Sequence, residues 1–329
     1  MAVLTQFLQS EFSLKKPQGW SCQSEAAVLP KNLCRILGFT PRADVLLQKD
    51  DGTRRYWIEF EVSRADPAAN HVKFAATHLF NPQPLKDIFV SMVSAHVAQG
   101  RRNLGATAVS LMRRVGMDAF QTTLFPQFSA REIKHFNHMP SGALREAELD
   151  VCPEMSRVFQ VAEPLSSFNG ARIHFAGNVL EVLLNIRTWN LEMKTIPAKK
   201  MWGKRTVTYF VYDDKSGRFA PSKFCAYTFI RTSDTSNSGV ASLLDFAGMS
   251  IERYVSVNRS EWRFDGQRAK AHLVQNLGLA LTDSLCNPEL LVPFRDWLNE
   301  FGQVINVSPS GPRFIVPKQL KRSQVRALI

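Results

Sequence analysis

Three carboxylates, Asp44, Glu59 and Glu61, lie in one short stretch, Asp44 to Glu61 (DVLLQKDDGTRRYWIEFE). The runs Ala43–Gln48 and Arg54–Ser63 have the composition of strands, and Asp51-Gly52 between them is a hairpin-turn signal. A two-residue loop at that point pairs position 44 with a residue near 59. Side chains alternate faces along a strand, so Trp57, Glu59 and Glu61 share one face and Tyr56, Ile58, Phe60 and Val62 the other. Carboxylates gathered at one sheet edge repel each other and are costly to bury unpaired. A divalent cation relieves both effects, and an all-oxygen donor set suits Mg²⁺, with Mn²⁺ as the alternative. The plain alternative is that Glu-x-Glu marks a solvated strand face.

The elements that must position these acids follow from the flanking sequence. Residues 21–37 are predicted to be helical, bent at Pro30, and would carry Glu25 on the first helix. Asp66-Pro67 is an N-cap followed by proline at the first helical position, opening a helix to about Phe80. Asp87–Ser94 (DIFVSMVS) is expected as a buried strand, Ala95–Val115 as a helix stopped by Gly116, and Ala119–Phe125 as a further strand. Helix, strand, strand, helix, strand, helix, strand predicts an α/β domain. Residues 126–165 hold four prolines, His135, His138 and an acidic cluster, and are expected to be irregular. Beyond them, strands at Thr206–Asp213 and Phe224–Ile230 flank the turn Lys215-Ser-Gly217. Helices are expected around Ser242–Tyr254, Asp265–Leu277 and Pro288–Phe301. The expected organisation is a first domain over 1–140, a connector over 141–165 and an α+β domain over 166–329, in keeping with roughly 150 residues per domain.

With an acid opening one strand and Glu-x-Glu on the next after a short hairpin, residues 20–125 resemble the PD-(D/E)XK nuclease superfamily, the restriction-endonuclease fold. That resemblance implies a central mixed sheet flanked by helices, with Asp44 and Glu59 as the metal-binding acids and Glu25 as the acid such folds often draw from the first helix. Glu61 stands where most members have lysine; Lys73, on the following helix, would supply the missing positive charge. The implied activity is Mg²⁺-dependent hydrolysis of DNA phosphodiester bonds. Asp44, Glu59, Glu61 and Lys73 would form the catalytic set, with Glu61 taking the proton of the attacking water. Arg64, Asn70 and His71, in or before the first turn of that helix, would hold the substrate phosphate.

The charge distribution points the same way. The chain has 41 basic and 29 acidic residues, a net +12. Nine basic residues face two acids between Lys194 and Arg231, and residues 301–329 hold five basic residues and no acid. Such concentrated stretches suit a polyanion. Lys199, Lys200, Lys204, Arg205 and Lys223, with Arg268 and Lys270 on a later helix, are the expected contacts to double-stranded DNA. The aromatics interleaved with them (Trp202, Tyr209, Phe210, Tyr212, Phe219, Phe224 and Tyr227) either stack on bases or fill a core.

Five scattered cysteines without a Cys-x-x-Cys pair exclude a disulfide framework and a zinc ribbon. No apolar run is long enough for a membrane helix, and the N-terminal stretch lacks a basic n-region and a cleavage site, so a soluble cytoplasmic protein is expected. A restriction-type enzyme would most simply cut as a homodimer on a palindrome. The alternatives are a nuclease dependent on modified bases and a non-catalytic DNA-binding protein on a nuclease-like scaffold.

Overall fold

The computed structural model describes residues 2–63, 67–84, 86–147, 149–168, 171–231, 247–260 and 266–318. The chain divides into two compact units, Met1–Glu163 and Pro164–Ile329.

In the first unit the β-rich residues form β1 (Trp20–Ala27), β2 (Arg42–Lys49), β3 (Arg55–Glu61), β4 (Asp87–Ser94) and β5 (Asp118–Leu124). They make one mixed five-stranded sheet in sequence order. The β1–β2 and β2–β3 pairs are antiparallel, and β3–β4 and β4–β5 are parallel. Every residue of β4 is buried, the pattern of a strand covered on both faces. On one face lie α3 (Pro67–Phe80) and α4 (Gln99–Arg114). Their Phe74, Val109 and Met112 pack with Leu46, Trp57, Phe89 and Ala119 of the sheet. The helix pair can approach closely because Gly105 of α4 has no side chain: a Cβ there would lie 2.6 Å from Gln121 Oε1 and 3.3 Å from both His71 and Pro67. On the opposite face α1 (Val3–Lys15) sets Phe12 edge-on to Phe60. There too α7 (Cys152–Ala162) places Phe159 against Trp20 and Tyr56.

Two expectations are corrected here. Residues 21–37 are not one bent helix: Trp20–Ala27 pairs with β2 as an edge strand, and only α2 (Lys31–Leu37) is helical, beginning just after Pro30. A residue preceding proline is pushed out of the helical region, so the helix cannot cross that point. Nor is 141–165 an irregular connector. It holds α6 (Ser141–Glu146) and α7, following α5 (Ala130–Phe136), and α7 packs on β5. Pro140 and Pro153 sit at the starts of α6 and α7, where a missing N–H costs nothing. The buried Glu154–Arg157 ion pair and the Phe125 N–H, which donates to Glu154 Oε2 at 3.0 Å, tie α7 to the end of β5.

The second unit is built on two four-stranded sheets. One runs in the order β10 (Arg218–Pro221), β9 (Tyr209–Asp213), β15 (Arg313–Val316), β13 (Ala280–Asp283). The other runs β12 (Ala247–Gly248), β11 (Tyr227–Arg231), β7 (Ala171–Phe175), β6 (Ser166–Phe168), and a two-stranded pair joins β14 (Ile305–Val307) to β8 (Arg205–Val207). Its helices include α8 (Val179–Glu192), α9 (Ile196–Trp202), the short α10 (Ser222–Ala226) and Leu291–Phe301. The expected return strand at Phe224–Ile230 is therefore split, with Lys223 on α10. The expected helix at Asp265–Leu277 is a helix over Gly266–Ala271 continued by a π turn at His272–Asn276, and Asp265 lies outside the described residues. Most interleaved aromatics fill the core: Phe210, Phe219 and Phe224 are fully buried, and Trp202 and Tyr227 nearly so. Tyr209 and Tyr212 alone of that set reach the surface.

Candidate functional site

Asp44 and Glu59 occupy level positions on adjoining strands. Val45 pairs with Ile58 and Leu46 with Trp57, so the next step along the antiparallel ladder sets Asp44 beside Glu59. The Asp51-Gly52 tip holds this register; Gly52 takes φ +69°, a conformation side chains disfavour. The Phe60 N–H donates to Asp44 Oδ2 at 2.7 Å, and Asp44 Oδ1 has no hydrogen-bond partner among the described residues. Burial lifts the Asp44 carboxyl from 3.8 to about 6, a rise that the Phe60 N–H opposes and the charge of Glu25 reinforces.

Glu59 is 5% exposed. Its Oε2 accepts from Asn70 Nδ2 at 3.2 Å, and its buried Oε1 has no partner among the described residues. Burial raises the Glu59 carboxyl well above the ordinary range. The charges of Asp44, Glu61 and Glu25 push the same way, and Lys73 opposes them. Asn70 Nδ2 also donates to Glu61 Oε1 at 2.9 Å, so one amide ties the Glu-x-Glu pair to the first turns of α3. Lys73, one turn on, is 3.5 Å through Nζ from Asn70 Oδ1.

Glu25 reaches this cluster, but from a strand rather than a helix. It lies between the paired positions Ser24 and Ala26, level with Asp44, at φ +52°. Its Oε1 accepts from Gln9 Nε2 of α1 at 2.8 Å, a contact between residues 16 apart that no local pattern announces. Two of the expected phosphate contacts, Asn70 and His71, have partners within the protein. Asn70 is turned to the carboxylates, whereas His71 is fully buried, with Nδ1 2.6 Å from the Pro67 carbonyl and its ring against Phe89. Arg64 lies outside the described residues.

The sequence reading also missed a polar row. Glu59 pairs with Ser91 and Ser91 with Gln121 across three parallel strands. All three are buried, and Ser91 Oγ and Gln121 Oε1 lack partners among the described residues. The signal was available: Ser91 and Gln121 are polar positions inside strands that are otherwise apolar.

Asp44 Oδ1 and Glu59 Oε1 are thus acceptor-only oxygens on two acids whose ionisation burial opposes, the donor chemistry a hard cation uses. Among the described residues no three His, Cys, Asp or Glu converge to hold a metal ion, including His135 and His138. Two carboxylates still fit Mg²⁺, which commonly keeps several waters and takes substrate phosphate oxygens as remaining ligands.

In the second unit, Lys199, Lys200 and Lys204 border one concavity with Ile196 and Gln303. Arg205 is half-buried, its guanidinium 5.0 Å from the Trp202 ring centroid. Lys270 lies 5.4 Å from the Tyr209 ring centroid, Lys223 is half-buried and Arg268 exposed.

Set against family models, curated proteins and solved structures, the chain gives no significant match. The first unit is a mixed α/β structure whose central mixed sheet of five strands is flanked by helices. No helix among the described residues is long and apolar enough to cross a membrane.

Proposed function

We propose that this chain is a metal-dependent DNA endonuclease of the PD-(D/E)XK kind, with a restriction-endonuclease-like first unit that cuts and a second unit that binds DNA. The observation that carries the reading is the pairing of Asp44 with Glu59 across the β2–β3 hairpin, each acid retaining a carboxylate oxygen without a hydrogen-bond partner among the described residues. The sheet order, with an antiparallel hairpin feeding two parallel strands, supports it.

In this reading Asp44 and Glu59 hold Mg²⁺, and Glu25, held by Gln9, adds negative charge beside them. When bound, the ion lowers the pKa of a coordinated water and offsets charge developing on the phosphate. Asn70 orients Glu59 and Glu61 through its shared amide. Glu61 accepts the proton of the attacking water, and Lys73 supplies the positive charge that the pattern's lysine otherwise provides. The lysines of α9 and its C-terminal edge grip the DNA backbone without reading sequence.

The test is incubation of the purified protein with unmodified and methylated phage DNA, in Mg²⁺ and in EDTA. Discrete Mg²⁺-dependent fragments that vanish in Asp44→Ala and Glu59→Ala, with DNA binding retained, are the expected result. Cutting of methylated DNA alone identifies a modification-dependent nuclease, and a stoichiometry of two chains per site identifies the homodimer.

A second reading, a non-catalytic DNA-binding protein on the same scaffold, is favoured by Glu61 in the lysine position and by the absence of a three-acid cage among the described residues. It expects a retarded complex and intact DNA in every condition.

A further inference from the structure

The second unit contains a concavity of about 470 Å³ whose lining includes Trp202, Arg205, Tyr209, Lys223, Tyr254 and Gln267 and, among the described residues, no acid. That volume falls within the roughly 300–1,000 Å³ of small-molecule sites. Three kinds of chemistry meet in it. Arg205 is fixed: its Nε donates to the Trp202 carbonyl at 3.0 Å, and its guanidinium lies 5.0 Å and 5.4 Å from the ring centroids of Trp202 and Tyr254. Those two rings are themselves stacked, 4.8 Å apart. Among the described residues the terminal nitrogens of Arg205 have no hydrogen-bond partner and no carboxylate. An oriented guanidinium without a counter-charge is a seat for an anion, and its planar fork matches phosphate.

Tyr209 provides a half-exposed ring on the same wall. Its hydroxyl is 3.1 Å from the Gln267 Nε2 amide. The same hydroxyl lies 3.4 Å from Gln267 Oε1; an amide engaged by a single hydroxyl keeps a second N–H and further oxygen lone pairs, which suits the edge of a flat heterocycle. The hydroxyls of Thr206 and Thr208 line the same wall.

We propose that this pocket binds one nucleotide, its phosphate on Arg205 and Lys223 and its base between the Tyr209 ring and the Gln267 amide. A lone phosphate leaves the ring and amide unused, and a neutral heterocycle leaves the Arg205 guanidinium without a counter-charge. The nucleotide is either free or extruded from a duplex; the second source rests on the DNA reading above, the first does not. Extrusion brings the Watson–Crick edge of a base and both of its faces within reach of a protein, which a paired and stacked duplex forbids.

Two titrations of the full-length protein test it. The first uses the four deoxynucleoside 5′-monophosphates and 5-methyl-dCMP, with nucleosides and inorganic phosphate as controls. The second uses duplexes carrying 2-aminopurine, whose emission rises when it leaves the stack. Binding of a monophosphate at least tenfold tighter than its nucleoside or phosphate, weakened at least tenfold by Gln267→Ala and by Lys223→Ala, is expected. A rise in 2-aminopurine emission that Gln267→Ala abolishes assigns the duplex source; monophosphate binding without that rise assigns the free nucleotide. Gln267 is exposed, so its removal leaves the core intact, as a circular dichroism melt will register. Absence of both signals, or signals that neither variant changes, overturns the pocket assignment. A cleavage assay on the same samples separates the two readings. Mg²⁺-dependent cutting with no pocket dependence overturns the pocket alone, and nucleotide binding without cutting overturns the nuclease alone.

Discussion

The backbone N–H of Phe60 donates to Asp44 Oδ2 at 2.7 Å, so the strand that carries Glu59 also fixes the carboxylate across from it. The bond favours the charged acid, but burial outweighs it and Asp44 is lifted to about 6. Its ionisation therefore opposes folding: the stability is fully present below 3.8 and lost as pH rises through about 6. Asp44→Asn keeps an acceptor for the Phe60 N–H and removes the charge. In EDTA at pH 7.5 this variant should be more stable than the parent by roughly 2–3 kcal/mol, from about two pKa units at about 1.4 kcal/mol each. Mg²⁺ should raise the melting temperature of the parent and not of the variant; equal Mg²⁺ responses would show that Asp44 is no ligand.

In the proposed nuclease the same raised acids would set the pH dependence of cleavage. A proton and a cation compete for Asp44 and Glu59, so apparent Mg²⁺ affinity should fall as pH drops through about 6. Cleavage at fixed, subsaturating Mg²⁺ should rise from pH 5 to pH 7 and recover at pH 5.5 when Mg²⁺ is increased. A rate flat across that range would remove these carboxylates from the rate-determining chemistry.

Asn70 bridges two buried acids with one amide. Asn70→Asp is isosteric but replaces the donor by a third carboxylate. It should cost about 1.5–3 kcal/mol in EDTA, the range for hydrogen bonds to charged groups, and less in saturating Mg²⁺. Chemical denaturation in both conditions measures the difference, and a penalty independent of Mg²⁺ would make Asn70 a purely structural tie.

Gly105 marks the close approach of α4 to α3 and β5. An alanine Cβ would meet Gln121 Oε1 at 2.6 Å, and Gln121 is held by its donation to the Arg102 carbonyl at 3.0 Å. Overpacking costs about 1–3 kcal/mol, and alanine's better helix propensity offsets up to about 1. Gly105→Ala should therefore destabilise by roughly 1 kcal/mol, measurable as a lower denaturant midpoint; a raised midpoint would show that the Gln121 side chain moves aside freely.

Lys199 and Lys200, in the last turn of α9, are expected phosphate contacts. Each such contact contributes about 0.9 to the slope of log K against log salt. Replacing both with alanine should flatten that slope by up to about 2 while leaving sequence preference unchanged, as a salt series of binding isotherms will report. An unchanged slope would take α9 off the DNA surface.

The hairpin was legible in the sequence because its information is local. Alternation in Arg55–Glu61 sorts the faces, Asp51-Gly52 sets the turn, and the turn sets the register that places Asp44 level with Glu59. Strand and helix spans from Arg42 to Leu124 follow the same short-range signals. The surroundings of the acids were not legible, because they depend on contacts between residues distant in sequence. Glu25 joins the cluster through the pairing of β1 with β2 and the reach of Gln9 from α1. Asn70 faces the carboxyl groups because buried acceptor oxygens require a donor and α3 crosses their face. His71, its neighbour on the helix, points inward, since adjacent helical residues project about 100° apart. Of the helices between Ser141 and Ala162, α7 holds its place by packing on the sheet, with Phe159 against Tyr56, and α6 by packing on α1. In the second unit, burial assigned Phe210, Phe219 and Phe224 to the core and left Tyr209 at a pocket wall. Composition counts such side chains alike; only packing decides which of them meet solvent.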